Sequence, residues 1–344
     1  MVIDFRNFFQ LRKTEVGVIP SNRVFGENMY SFSNMKGKNP DLRAAVNIAM
    51  RAVNTNLCIL ICGETGTGKE VFAAAVHNES FRKNKHFVKI NSASIPDNLI
   101  ESELFGYEKG AFTGALKSKK GKFEIADGGT LFFDEIGDMS FAMQSKVLTA
   151  IESNEITPLG SNKTHKTDVR LVCATNKDLK RLVSEGSFRE DLYYRIGNLN
   201  INLPPLRNRK DEIKALANYF VEAFCKVNHL KPKSFSDEAK LALENYEWPG
   251  NIRELKSFCE LALITSTGEL IEINDLPNDV FVPNGSACHS EVEEQLTRLA
   301  MKNKLDIPKI KSILIKNYLK QFDGNKSKVS KLLNISRNHF YNKN

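Results

Sequence analysis

Gly63-Glu64-Thr65-Gly66-Thr67-Gly68-Lys69 stands directly after the apolar run Leu57 to Cys62 and directly before a helical pattern, Glu70 to Ser80. A strand, a glycine-rich turn closed by lysine and a helix together form the setting of a P-loop. The glycines let backbone N–H groups face phosphate oxygens, and the helix N-terminus adds positive potential at the same point. Lys69 is placed to reach the β- and γ-phosphates of ATP. The Ser or Thr usual after that lysine is replaced by Glu70, so a direct hydroxyl ligand to Mg2+ is missing there.

Working outward, short β-rich runs alternate with helical patterns: Leu57 to Cys62, His86 to Asn91, Thr130 to Phe133, Val169 to Ala174 and Gly197 to Leu203. The alternation predicts an α/β domain with a parallel sheet covered by helices. Gly128-Gly129-Thr130-Leu131-Phe132-Phe133-Asp134-Glu135 is an apolar strand ending in two acids. Asp134 is a candidate holder of Mg2+, and Glu135 a candidate for polarising the attacking water. An acidic pair after a strand also reads as a helix cap or solvated turn. In an open parallel sheet, however, ligands gather at the carboxyl ends of strands, where Gly63, Asn91, Asp134 with Glu135, and Asn176 all fall.

After Pro204-Pro205 the pattern turns wholly helical, through Asp211 to Val227, Ser236 to Tyr246 and Asn251 to Ser266. The expected organisation is a short extension over 1–34, an α/β ATPase part over 35–206, a helical lid over 207–276, a linker over 277–307 and a terminal module over 308–344. With 344 residues, 41% of them apolar, the chain can bury a sizeable core. Its longest apolar run is far shorter than a membrane span and the start lacks a signal-peptide pattern, so the expectation is a cytoplasmic protein with no membrane partner. Cys58, Cys62, Cys173, Cys225, Cys259 and Cys288 form no C-x-x-C cluster and read as reduced, mostly structural thiols. The net charge is +8, yet Met301 to Asn344 holds eleven Lys or Arg against two acids, a local +9. Such localised charge points to a polyanion partner, with a lysine-rich solvated tail as the plainer reading.

Between the two halves of the nucleotide site lies Gly110-Ala111-Phe112-Thr113-Gly114-Ala115. It carries no catalytic group, so its value is mechanical or adhesive: flanking glycines permit a tight tip, and Phe112 offers an apolar contact. Upstream stands Glu103-Leu104-Phe105-Gly106-Tyr107-Glu108-Lys109. With these motifs in place, residues from about Asn34 to Leu276 strongly resemble the AAA+ domain of sigma-54-dependent transcriptional activators, the bacterial enhancer-binding proteins. Glu70 is that family's usual choice.

The resemblance implies a set of roles. Asn91 would restrain Glu135 until the nucleotide state changes, although a strand-end asparagine can equally serve its own turn. Asn176, in Cys173-Ala174-Thr175-Asn176, corresponds to sensor I. Arg189 and Arg195, within Phe188 to Arg195, would be arginine fingers reaching the γ-phosphate of a neighbouring subunit, since a guanidinium fork neutralises charge on transferring phosphate oxygens. Without the family they read as surface arginines paired with Glu190 or Asp191. Arg253, in Trp248-Pro249-Gly250-Asn251-Ile252-Arg253-Glu254-Leu255, corresponds to sensor II. Leu203-Pro204-Pro205-Leu206-Arg207 is similar to the family's crossing into the lid, with Arg207 and Arg209 as much structural as functional. Phe112 and Thr113 would engage sigma-54 when ATP is bound to a homo-oligomeric ring, hexameric in this family.

At the carboxyl end, Ile310, Ile313, Leu314, Tyr318 and Phe322 share one helical face, Gly324 follows, and Val329, Leu332 and Leu333 mark a second short helix. Asn334-Ile335-Ser336 turns into a third, with Ser336 its N-cap and Arg337, Asn338, His339, Asn342 and Lys343 toward solvent. This resembles the Fis-type helix-turn-helix that closes the family, and it implies binding of double-stranded DNA upstream of a promoter. Fewer than about 35 residues precede the ATPase part, too few for a sensing domain. The expectation is control by a regulatory protein in trans, or loss of an input domain. A clamp-loading or unfolding AAA+ machine predicts neither this loop nor the terminal module.

Overall fold

The computed structural model describes residues 18–19, 31–35 and 39–276. Its α/β part opens with β1 (Val18–Ile19), α1 (Pro40–Ala52), β2 (Ile59–Cys62), α2 (Lys69–Asn78) and β3 (Phe87–Asn91). Next come α3 (Asp97–Phe105), the ribbon β4 (Gly106–Tyr107) and β5 (Lys119–Lys120), the single turn α4 (Lys122–Ile125) and β6 (Thr130–Asp134). It closes through α5 (Phe141–Ser153), a second ribbon of β7 (Glu155–Ile156) and β8 (His165–Lys166), β9 (Arg170–Thr175), α6 (Leu179–Ser184), α7 (Glu190–Ile196) and β10 (Leu199–Asn202). The helical part holds α8 (Lys210–Val227), β11 (Ser234–Phe235), α9 (Asp237–Asn245), α10 (Asn251–Thr265) and β12 (Leu270–Ile271).

All five expected strands enter one six-stranded sheet, in the order β1-β3-β6-β9-β2-β10. Those five pair in parallel, and β1 joins the edge antiparallel, with Val18 opposite Val88. Because successive side chains point to opposite faces, a strand covered on both sides must be apolar throughout. Accordingly Leu131 and Phe133 of β6 pack into one core with Ile100 and Leu104 of α3, Val147 and Ile151 of α5 and Leu192 of α7. Phe132 joins the opposite core with Ala45 and Ala49 of α1 and Phe72 and Val76 of α2. A third core runs from Leu206 to Leu276 around Trp248, whose indole N–H donates to the Leu243 carbonyl at 2.8 Å.

The extension over 1–34 contributes β1 to the sheet edge, and the expectation of a wholly helical lid needs correction, since β11 and β12 pair in parallel. Two-residue strands are too short to carry a period in the sequence, so only tertiary pairing reveals them. Residues 277–344, which include the expected linker and terminal module, lie outside the described residues.

Candidate functional site

The strand register determines what meets at the sheet's carboxyl edge. Asn91 is paired with Asp134 across β3 and β6, and Cys62 with Thr175 across β2 and β9. The residues that follow, Glu135, Gly63 and Asn176, therefore start from one line of strand ends. Between β2 and α2 the loop turns with Gly66 at φ +82° and Gly68 at φ +98°, conformations costly for any side chain. Buried Lys69 folds back over this loop: its ammonium donates to the carbonyls of Gly63 at 2.9 Å and Glu64 at 3.3 Å, and lies 3.6 Å from Glu135.

Glu135 itself takes φ +52°, an uncommon backbone for a non-glycine residue, and its carboxylate accepts the Asn176 N–H at 3.1 Å. The Asn176 carboxamide donates to Thr65 Oγ1 at 3.0 Å, so the acidic strand end, the Asn176 turn and the glycine loop are joined. Asn91 makes no such link. Its Oδ1 accepts the Ala93 N–H at 2.9 Å, the strand-end turn that was the alternative reading of this residue.

Asp134 lies 3.4 Å from the Lys89 ammonium, which is also 2.6 Å from Glu70. The Lys89 ammonium thus bridges two carboxylates. Of these, Asp134 at the strand end suits a small hard cation such as Mg2+, which takes one or two carboxylates and completes its shell with phosphate oxygens and water. Among the described residues no larger cluster of metal-binding side chains occurs. Glu64 faces the other way: Arg207 grips it with a fork at 2.9 and 2.6 Å, and Asn251 donates to it at 3.1 Å. The fork, then the carboxamide, hold its carboxyl at a pKa of about 2.

Arg189 and Arg195 sit at the two ends of α7 and do not bond to the phosphate loop of their own chain. Arg189 grips Asp191 at 3.1 and 2.7 Å and lies over the Phe141 ring, while Arg195 donates to the Ile151 carbonyl at 3.3 Å. The fully buried Gln144 accepts the Arg189 N–H at 2.7 Å and donates to the Met139 and Ser187 carbonyls. Its only sequence signal was an amide on the apolar face of a helix. Arg253, exposed on the first turn of α10, faces the loop, with its Cβ within 3.2 Å of where a Gly66 side chain would begin.

The Gly110–Ala115 loop rises from the β4–β5 ribbon. Gly110 at φ +86° and Gly114 at φ +101° have open space around them, so backbone conformation alone demands glycine there. The Gly110 N–H donates to the Ala115 carbonyl at 2.9 Å and the Ala115 N–H to the Phe112 carbonyl at 3.0 Å, closing a compact tip. Phe112 stacks edge-on against Tyr107 yet remains 44% exposed, and Leu116, just beyond the motif, is 82% exposed. Ser336, Arg337, Asn338, His339, Asn342 and Lys343 lie outside the described residues.

Comparison with known proteins gives three successive family matches: the Sigma-54 interaction domain over residues 35–202, the AAA+ ATPase lid domain over 207–291, and the Fis family of bacterial regulatory proteins over 307–343. The chain is 41% identical over 304 residues to a transcriptional regulatory protein ZraR of Klebsiella oxytoca, covering 88% of this chain and 66% of that protein. Against ZraR of Salmonella typhi it is 39% identical over 335 residues, covering 96% and 74% respectively. A crystal structure of NtrX from Brucella abortus in complex with ATP superposes with a TM-score of 0.65 at 28% identity, covering 89% of this chain and 67% of NtrX. The chain thus spans about two thirds of the length of these relatives.

Proposed function

Since the chain belongs to the sigma-54-dependent activator family, with an AAA+ lid and a Fis-type module, we propose that it is an ATP-driven activator of sigma-54 RNA polymerase. The observation that carries this reading is the meeting of Lys69, Glu135, Asn176 and the glycine loop at one sheet edge, in a chain that also presents Phe112 at an exposed tip.

The triphosphate lies along the N–H groups of Gly63 to Lys69, and the Lys69 ammonium exchanges its carbonyl contacts for the β- and γ-phosphates. Asp134 would hold Mg2+, which neutralises phosphate charge when bound. Glu135 orients water and takes up its proton as the water oxygen bonds to the γ-phosphorus. The bond to the bridging oxygen breaks, leaving ADP and phosphate. Asn176 senses the γ-phosphate, Arg253 reports to the lid, and Asn91 leaves its own turn to restrain Glu135 in one nucleotide state. Arg189 and Arg195 act on the site of the adjacent subunit in a ring, which explains why they are committed elsewhere in their own chain.

Hydrolysis then moves the Gly110–Ala115 loop against sigma-54, with Phe112 and Thr113 at the contact, and opens the promoter complex. Ser336, Arg337, Asn338, His339, Asn342 and Lys343 hold the activator on upstream DNA. The test is capture of sigma-54 by the full chain with ADP and aluminium fluoride. Wild type retains sigma-54 and Phe112→Ala loses it while still hydrolysing ATP; equal retention overturns the loop's role. ATP hydrolysis without promoter opening overturns the reading as a whole.

A further inference from the structure

A phosphate loop aims its N–H groups at a ligand only if its carbonyl oxygens turn the other way, and each of those needs a donor. Three consecutive carbonyls of this loop take donors from outside it. Thr65 O accepts from the Asn251 carboxamide at 3.0 Å, Gly66 O from the Ile252 N–H at 2.9 Å, and Thr67 O from Arg209 Nη2 at 3.0 Å. Asn251 and Ile252 begin α10, and Arg209 directly precedes α8. The carbonyl side of the loop therefore rests on the helical lid.

Asn251 is central to this contact. It is fully buried, its Oδ1 accepts the Leu206 N–H at 2.7 Å, and its Nδ2 serves both Thr65 O and the Glu64 carboxylate. These partners leave one orientation for the carboxamide. Its φ of +54° is tolerated better by asparagine than by other side chains. The approach is close enough that a Cβ on Gly66 would overlap the Gly250 carbonyl.

We propose that Asn251, seconded by Arg209, is a positioning residue for nucleotide: it holds the outward carbonyls of the phosphate loop and makes affinity for the phosphates depend on the docked lid. The inference rests on the reading of this loop as the ATP site. When the lid lifts, the three carbonyls lose their donors, the peptide units are free to turn, and the inward N–H groups lose alignment. By linkage, bound nucleotide holds the lid against the loop to the same extent.

The experiment uses the full chain and three variants. Asn251→Gly removes the carboxamide while easing the backbone, Asn251→Asp keeps the acceptor for Leu206 but replaces the donor, and Arg209→Met removes the Thr67 donor. Each should weaken binding of a fluorescent ADP derivative by about tenfold and raise KM for ATP more than it lowers kcat. Amide exchange in α10 should slow on adding ADP to wild type and not to the variants. Retained affinity and KM, measured well below a lowered unfolding temperature, would make Asn251 a fold residue only and overturn the proposal. Should Asn251→Gly not fold, the same measurement on Asn251→Asp and Arg209→Met decides. Wild type that binds no ADP refutes the ATP-site reading instead, a distinguishable result.

Discussion

His77 shows how one buried side chain ties the nucleotide domain's stability to pH. It lies on α2, with Nδ1 2.9 Å from Thr130 Oγ1 and its ring against Phe87. Burial lowers its pKa from 6.5 to about 4. The unfolded chain therefore takes up a proton as pH falls through 6.5, whereas the folded chain resists until about 4. Stability is fully present above the unfolded value and declines between the two. From pH 7 to 5 wild type should lose about 2 kcal/mol more than His77→Gln in urea unfolding, at 1.36 kcal/mol per pKa unit. Equal losses would show that the ring charges freely in the fold.

At the scale of elements, the Gly110–Ala115 loop owes its shape to two glycines with positive φ and its exposure to the ribbon beneath it. Phe112 packs against Tyr107 and is less exposed than Leu116, so the larger exposed apolar surface belongs to Leu116. Leu116→Ser should change stability by no more than about 0.5 kcal/mol, as surface substitutions do, yet weaken sigma-54 capture about tenfold. Urea unfolding and the ADP–aluminium fluoride capture assay measure the two effects separately. Unchanged capture would confine the contact to Phe112 and Thr113. The long elements were legible beforehand, because Ile59–Cys62, Leu131–Phe133 and Leu171–Ala174 are unbroken apolar runs and α8 and α10 carry helical spacing. The two-residue strands β1, β11 and β12 were not, since their partners lie far away in the chain.

At the scale of the whole molecule, Arg189 grips Asp191 and Arg195 the Ile151 carbonyl of their own chain, and the proposed ring would give both a task on the adjacent subunit. Arg195→Ala and Lys69→Ala should each be inactive alone, the first lacking a finger and the second a phosphate ligand. Mixed in equal amounts, about a quarter of adjacent pairs in a closed ring would join an intact Lys69 to an intact Arg195. ATPase activity should then return in part, as phosphate release would show. No recovery at any ratio would mean that the arginines act within their own subunit.

The motifs around Lys69, Asp134 and Gly110–Ala115 were readable from residue order because each is a continuous run whose chemistry is set by near neighbours. Partnership was not. That Lys89 bridges Glu70 to Asp134, that Asn91 serves its own turn, and that Asn251 and Arg209 hold the phosphate loop's carbonyls all depend on side chains brought together across the sheet and from the lid. A hydrogen bond requires position within a few tenths of an ångström, and only the packing of the three cores supplies that over such separations in the chain.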